Sequence, residues 1–146
     1  MCFLQFLTHG DMELASEIRH GHRRLLASVD GSYDPAIAGV DLSRLLFLDL
    51  ETTGLAGGTG TYAFMIGVGY FTTAGAFCLQ QFFMRDYGEE PAQLALVSEL
   101  LRQFAAVVTF NGKAFDMPLL GTRLSLSHMP FPLLGAPHLD LLFPSR

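Results

Sequence analysis

The chain contains one short apolar run that ends in two carboxylates and a turn, Leu45-Leu46-Phe47-Leu48-Asp49-Leu50-Glu51-Thr52-Thr53-Gly54. Apolar residues at successive positions, closed by Thr-Thr-Gly, indicate a buried strand rather than a helix. Side chains alternate between the two faces of a strand, so Asp49 and Glu51 project from one face and Leu48 and Leu50 from the other. The strand therefore presents two acidic groups together at its end.

This acidic pair has two interpretations. Two carboxylates about 5 Å apart repel each other by about 3 kcal/mol at an effective dielectric constant of about 20, so a cation, a proton or solvent must offset the repulsion. Mg²⁺ and Mn²⁺ prefer carboxylate oxygen, and two-metal phosphoryl-transfer sites gather such groups. The alternative is that both side chains meet water, with Asp49 bonding turn amides. On the spacing of Asp49 and Glu51 alone, the solvated alternative is favoured.

Composition and charge narrow the class of protein. With 146 residues, half of them hydrophobic, we expect one domain with one core. A net charge of −5 argues against a protein that coats nucleic acid by charge alone, but bound cations would supply the positive field that a metal-dependent nuclease needs. Cys2 and Cys78 are too few for a disulfide scaffold or a structural zinc site, so we expect a reducing cytoplasm. No segment has the length and apolarity of a membrane helix.

The order of the predicted elements indicates an α/β fold. Residues 1–40 are mixed in character and are expected to form a loosely ordered lead-in, followed by one domain over residues 41–146. After the Asp49 strand, strands are predicted over residues 62–71 and 76–85, joined as a hairpin. A helix is predicted from Glu89-Glu90-Pro91, then a strand over residues 105–110, a helix through Arg123 and a strand over residues 138–142. Three strands followed by helix, strand, helix and strand predict a sheet that is antiparallel at first and parallel later.

A second polar cluster follows the fourth predicted strand, in Thr109-Phe110-Asn111-Gly112-Lys113-Ala114-Phe115-Asp116-Met117-Pro118. Asp116 precedes a helix start that contains proline, so it is either an N-cap, worth about 1 kcal/mol, or a third metal carboxylate. Taken alone, the cap is favoured. Lys113 is the only lysine of the chain. In its turn it would either meet a substrate phosphate or be solvated, and for a single lysine the solvated state is favoured.

Together, Asp49-Leu50-Glu51-Thr52-Thr53-Gly54-Leu55 and the segment from Asn111 to Pro118 resemble the first two exonuclease motifs of the DEDD superfamily, whose members have a ribonuclease H-like fold. Two further segments resemble the bacterial YprB-type ribonuclease H-like domain, a predicted 3'-5' exonuclease: Gly57-Gly58-Thr59-Gly60-Thr61-Tyr62-Ala63-Phe64 and Pro137-His138-Leu139-Asp140-Leu141-Leu142. The resemblance covers residues 39–143. Each motif is moderately specific, and their order and spacing strengthen the assignment.

The resemblance implies a metal site and a substrate. Asp49, Glu51 and Asp116 are expected to bind a pair of Mg²⁺ or Mn²⁺ ions, which would orient and deprotonate a water and stabilise the leaving oxygen of a phosphodiester. The implied partner is nucleic acid, as a single-stranded DNA or RNA end.

Four further residues are implied to contact the substrate, and each has a structural alternative. Thr52 and Thr53 would offer hydroxyl or backbone contacts to a terminal nucleotide, or would shape their turn through local hydrogen bonds. Lys113 would meet a phosphate. Asn111 lies in the same turn, and bracing that turn is its expected main role.

The chain also departs from the DEDD pattern. That pattern needs a fourth acidic residue from a later helix, preceded by a His or Tyr general base, whereas the sequence ends at Arg146, just after the strand that bears Asp140. Asp140 is expected to orient its neighbours by hydrogen bonding rather than to replace the missing ligand. His138 is a proton-transfer residue by type, although a surface or strand-end histidine is the commoner case. We therefore expect a ribonuclease H-like sheet that is incomplete at its C-terminus.

Two other functions are compatible with these residues. The first is a nucleic-acid-binding or protein-binding module that keeps the ribonuclease H-like fold but no longer cuts. The second is an actin-like ATPase in which residues 49–61 hold phosphate through glycine-rich amides. The sequence has no Gly-Lys-Ser or Gly-Lys-Thr phosphate loop, so the ATPase ranks last.

Overall fold

A computed structural model of the chain describes residues 2–6, 35–54 and 59–142. The described residues form six strands and two α-helices. The strands are β1 (Cys2–Phe6), β2 (Leu45–Thr52), β3 (Ala63–Phe71), β4 (Phe77–Phe83), β5 (Ala106–Thr109) and β6 (His138–Asp140), and the helices are α1 (Glu90–Leu101) and α2 (Asp116–Leu126). From β2 onward this is the predicted order of elements. Neither helix is long and apolar enough to cross a membrane.

All six strands belong to one mixed sheet in the order β1-β4-β3-β2-β5-β6. The pairs from β1 to β2 are antiparallel, and β5 is parallel to β2 on one side and to β6 on the other. The predicted α/β sheet, antiparallel at first and parallel later, is confirmed. Since β2, β5 and β6 run in the same direction, their carboxyl ends lie at the same edge of the sheet.

Strand β1 lies within the segment that was predicted to be a loosely ordered lead-in. It pairs antiparallel with β4 over its whole length, from Cys2 opposite Phe82 to Phe6 opposite Cys78. Without β1, the outer edge of β4 would carry unpaired amide and carbonyl groups along its length. The same predicted lead-in contains a short 3-10 helix, Pro35–Gly39. Residues 7–34 lie outside the described part, so the division of the chain at residue 41 stays a prediction.

The two faces of the sheet are covered differently. One face, which we call the helix face, packs Leu46, Leu48 and Leu50 of β2 into the main core with α1 and α2. The opposite face, which we call the second face, carries a smaller cluster around Leu45, Val108 and Leu139, into which Ile37 also packs. Because strand side chains alternate, the exposed carboxylates that follow Leu45 and Phe47 in β2 lie on the second face.

A buried ion pair joins the two helices to the loop before β3. The Arg123 guanidinium of α2 donates to both carboxylate oxygens of Glu90, the first residue of α1. It also donates from Nη1 to the Thr59 carbonyl oxygen at 2.7 Å and stacks 3.9 Å from the centre of the Tyr62 ring. Arg123 and Glu90 lie 33 residues apart in the sequence. The pair therefore holds the loop between β2 and β3 against both helices.

Removing one member of this pair should destabilise the fold strongly. Arg123→Met leaves the Glu90 carboxylate buried without a counter-charge, so we expect the free energy of unfolding to fall by about 3 kcal/mol or more in urea denaturation. The double variant Glu90→Gln with Arg123→Met leaves no unpaired charge and should lose less. Arg102→Met serves as a control, because its partner Glu99 is exposed. A loss in Arg123→Met no larger than in that control would contradict a stabilising role for the buried pair.

Candidate functional site

The candidate site lies at the edge where the parallel strands end. Asp49 and Glu51 are exposed at the end of β2. The turn after β5 leads directly to Asp116, which is only 9% exposed. Burial raises the pKa of Asp116 to about 6, together with the charges of three nearby carboxylates. In order of effect these belong to Asp49, Asp140 and Glu51. The fold thus brings the three predicted ligands within electrostatic range of one another.

The local contacts of the three carboxylates correct two of the simpler interpretations. Asp49 and Glu51 accept no side-chain hydrogen bond from the described residues, so Asp49 does not bond turn amides. Asp116 is not the N-cap of α2: Phe115 occupies that position and Asp116 is the first helical residue. Within the described ranges, no three His, Cys, Asp or Glu side chains lie close enough to hold one metal ion. The carboxylates are neighbours, but they are not arranged as a closed coordination shell.

Asp140 is a structural residue that shapes the turn beside the site. Its Oδ1 accepts from the backbone amides of Asn111 at 2.6 Å and Leu142 at 3.1 Å, and its Oδ2 accepts from the Lys113 amide at 2.9 Å. Burial acts to raise the pKa of Asp140, but these three bonds outweigh it, so the pKa lies below its usual value. The expectation that Asp140 orients its neighbours is confirmed.

The turn that Asp140 holds has a backbone conformation that few residue types adopt. Asn111 has a φ of 61°, in the left-handed region that asparagine tolerates better than most residues. The next residue, Gly112, donates its amide to Thr109 Oγ1 at 3.2 Å. A Cβ atom at Gly112 would lie 2.5 Å from the Thr109 side chain, so glycine is required there. Asn111 therefore braces the turn, and its contact with substrate stays a prediction.

His138 belongs to the same support structure on the helix face. Its Nε2 lies 2.8 Å from Thr109 Oγ1, which ties β6 to β5. Burial lowers the pKa of His138, as does the charge of Lys113, and together they outweigh the opposite effect of Asp140. Both effects favour the neutral imidazole. The nearby residue Lys113 is exposed.

The two threonines after Glu51 use their hydroxyl groups within the loop between β2 and β3. Thr52 Oγ1 donates to the Gly54 carbonyl oxygen at 2.9 Å. Thr53 Oγ1 accepts from the Tyr62 amide at 3.1 Å, and the Thr53 amide donates to the Tyr62 carbonyl oxygen at 3.0 Å. These bonds agree with the alternative in which the two threonines shape their turn through local hydrogen bonds. A contact of either threonine with a terminal nucleotide stays a prediction.

An apolar groove leads away from the acidic pair, and the sequence analysis missed it. The groove has a volume of about 570 Å³, and Asp49 and Glu51 contribute to its lining. Gly67 and Gly69 of β3 line it where other strand residues would carry side chains, and the exposed Phe110 lies at its rim. The alternation Gly67-Val68-Gly69 within a strand is the sequence signal that marks such a groove.

A mixed sheet of this order, with two helices packed on one face and acidic residues gathered at the edge where the parallel strands end, defines a ribonuclease H-like α/β domain. A family model described as RNase_H superfamily matches residues 46–146, and the chain belongs to that superfamily. The chain is also similar to the uncharacterized protein YprB of Bacillus subtilis (strain 168), with 33% identity over 116 residues. The predicted resemblance to a YprB-type domain is thereby confirmed.

The match with YprB covers the two proteins very unequally. It takes in 79% of this chain but 28% of YprB, so the chain spans less than a third of that relative. No solved structure matches the chain.

Loss of the Asp140 carboxylate should destabilise the turn that carries Asn111 and Lys113. Asp140→Ala leaves three backbone amides without their acceptor, so we expect a loss of about 2 to 4 kcal/mol in the free energy of unfolding, measured in urea. Asp140→Asn keeps one acceptor oxygen and should lose less. Because the pKa of Asp140 is lowered in the folded state, the stability that it contributes should disappear as the pH falls below about 4. Equal stability of Asp140→Ala and the wild type would refute the role of Asp140 in holding this turn.

Asp116 should behave in the opposite way. Its folded pKa of about 6 lies above the ordinary value of 3.8, so the folded protein binds a proton that the unfolded chain has released, and stability should fall as the pH rises between these values. In EDTA at pH 7 we expect Asp116→Asn to be more stable than the wild type by about 1 kcal/mol in urea denaturation. The gain should shrink towards pH 4. A destabilised Asp116→Asn at pH 7 would contradict a raised pKa of Asp116 in the folded protein.

Proposed function

We propose that this domain is a metal-dependent exonuclease that hydrolyses phosphodiester bonds of nucleic acid by a two-metal mechanism. The observation that supports it most is the placement of Asp49 and Glu51 on one face at the end of β2, within electrostatic range of the buried Asp116. Burial raises the pKa of Asp116 to about 6, and the charges of nearby carboxylates add to this effect. The described groups that act on Asp116 are all acidic. Such an uncompensated arrangement is destabilising and is characteristic of functional sites.

The donor set fits Mg²⁺ or Mn²⁺. Asp49, Glu51 and Asp116 offer carboxylate oxygens, which are the ligands that these hard cations prefer. The exposed side chains of Asp49 and Glu51 are not engaged by described residues, so they are free to rotate towards Asp116. This rotation is required, since the described side chains do not form a closed site as they stand. A divalent charge between the carboxylates would offset the repulsion that adds to burial in raising the pKa of Asp116.

Each residue has a separate task in this mechanism. Asp49, Glu51 and Asp116 would hold two ions, which when bound supply a deprotonated water and stabilise the leaving oxygen. Asp140 fixes the backbone of the turn from which Lys113 extends. Lys113 would then neutralise a phosphate of the substrate from outside the metal site.

The substrate in this proposal is a single-stranded DNA or RNA end. The chain has a net charge of −5, so attraction of phosphates must come from bound metal and from Lys113 rather than from a basic surface. Asn111, Thr52 and Thr53 would contribute backbone contacts near the terminal nucleotide. A reducing cytoplasm is the proposed location, in keeping with the buried free thiol of Cys78.

A second candidate function is a nucleic-acid-binding or protein-binding module without catalysis. Two observations favour it: the three predicted ligands do not converge on one point among the described residues, and Asp140 accepts three hydrogen bonds from backbone amides. Such a module would bind a divalent ion without turnover. Residues 55–58, on which the ATPase alternative depends in part, lie outside the described residues.

Thermal melting with added metal tests the site. We expect Mg²⁺ or Mn²⁺ to raise the Tm of the wild type, because an ion that binds the folded state stabilises it by mass action. Asp49→Asn should weaken this rise. Glu99→Gln removes the same charge from an exposed ion pair on α1 and should leave the rise intact. An equal metal response in Asp49→Asn and the wild type would disprove the site assignment.

Hydrolysis of end-labelled single-stranded DNA and RNA, with and without Mn²⁺, then separates the two candidate functions. The exonuclease proposal predicts stepwise shortening that Asp49→Asn and Asp116→Asn abolish. A metal-dependent rise in Tm without any shortening would favour the non-catalytic module.

A further inference from the structure

We propose that Arg123 is a positioning residue for Glu51, one of the three candidate metal ligands. This inference rests on the proposed function, because Glu51 binds metal only in that proposal. Arg123 belongs to α2, which packs on the helix face, whereas Glu51 projects from the second face. The influence of Arg123 on Glu51 must therefore pass through the backbone of β2 and β3.

The Arg123 guanidinium holds the chain just before β3. It donates to the Thr59 carbonyl oxygen at 2.7 Å and lies 3.9 Å from the centre of the Tyr62 ring. The Tyr62 ring also packs against the ring of Tyr87, with 4.4 Å between the ring centres. Arg123 is itself fixed, since it is 5% exposed and donates to both oxygens of the buried Glu90 carboxylate. The start of β3 is thus tied to both helices.

Tyr62 carries this restraint across to the end of β2. Its amide donates to Thr53 Oγ1 at 3.1 Å, and its carbonyl oxygen accepts from the Thr53 amide at 3.0 Å. Thr53 follows Glu51 by two residues. The contacts from Arg123 to Tyr62 and from Tyr62 to Thr53 therefore form a continuous path to the backbone beside Glu51.

A β-bulge makes the position of Glu51 depend on this path. Glu51 lies opposite Met65 but Thr52 lies opposite Ala63, so Phe64 is an extra residue in β3. A bulge bends its strand, increases the local twist and changes the direction of nearby side chains. Bulges are common next to active sites for this reason. The direction of the Glu51 carboxylate therefore depends on how the start of β3 is held.

A buried glutamine of α1 holds the same bulge. Gln93 is 6% exposed, and its Nε2 donates to the Phe82 carbonyl oxygen at 2.8 Å and to the Phe64 carbonyl oxygen at 3.4 Å. Its Oε1 is buried and has no hydrogen-bond partner among the described residues. An unpaired buried polar atom costs about 1 to 3 kcal/mol, so stability alone does not explain a glutamine here. Buried polar side chains of both helices thus converge on the bulge.

Amide exchange and Mn²⁺ affinity test this inference in the double variant Glu90→Gln with Arg123→Met, which leaves no unpaired buried charge. In EDTA we expect the Thr53 and Tyr62 amides to exchange with deuterium about 10-fold faster than in the wild type, measured by NMR. The Kd for Mn²⁺, measured by EPR of the free ion, should rise about 10-fold, the lower end of the range for residues that support metal ligands. Val97→Ala, at a fully buried residue of α1 outside the path, is the control for lost stability.

Arg123→Lys separates positioning from stability. Lysine keeps a positive charge beside Glu90, but it lacks the planar fork with which arginine bonds Glu90 and Thr59 at once. We therefore expect Arg123→Lys to recover part of the stability lost in Arg123→Met and still to bind Mn²⁺ about 10-fold more weakly than the wild type. Arg102→Lys, in an exposed pair with Glu99, is the matched control and should bind Mn²⁺ like the wild type.

The outcomes separate this inference from the proposed function. Wild-type Mn²⁺ affinity in the folded variants, or unchanged exchange at Thr53 and Tyr62, would overturn the positioning role and leave the exonuclease proposal standing. An equal loss of affinity in Val97→Ala would show that affinity follows stability and would overturn the role as well. A wild type that binds no Mn²⁺ would overturn both proposals. If the double variant fails to fold, as judged by its Tm, Arg123→Lys decides alone.

Discussion

The parallel pairing of β5 between β2 and β6 is the constraint on which the rest of this domain depends. It sets Phe47 opposite Val108 and Thr109 opposite Asp140, so β5 and β6 end together beside the half of β2 that carries the acidic pair. Each strand then contributes a different component at that edge: β2 the acidic pair, β5 the turn that leads to Asp116, and β6 the carboxylate that holds the turn. If β5 paired elsewhere, these groups would have no reason to meet.

Two buried aspartates at this edge show how the surroundings of identical side chains shift their pKa values in opposite directions. Asp140 is 3% exposed, yet its pKa is lowered, because three backbone amides replace the water that it lost. Asp116 is 9% exposed and its pKa is raised, first because of burial and then because its charged neighbours are acidic. The first carboxylate stabilises the fold, whereas the second is held at a cost that a bound cation would remove.

The two faces of the sheet are covered to different extents. Its helix face is covered by α1 and α2, and the Arg123 and Glu90 pair fixes both helices to the loop before β3. The second face combines a small apolar cluster with a groove in which glycine replaces larger side chains. Rigid packing on one face allows the other to keep an open surface next to exposed carboxylates.

Local patterns in the sequence were sufficient to predict the order of elements from β2 onward and the shared face of Asp49 and Glu51. They were also sufficient to identify the motifs that resemble those of exonucleases. These properties follow from alternation and turn chemistry over a few residues. Four features depended on tertiary structure. They are the strand β1, the pairing of Arg123 with Glu90, the groove beside Gly67 and the hydrogen bonds by which Asp140 holds its turn. Each of them joins residues that are distant in the chain, and burial and sheet neighbours are decided only when the whole sheet assembles.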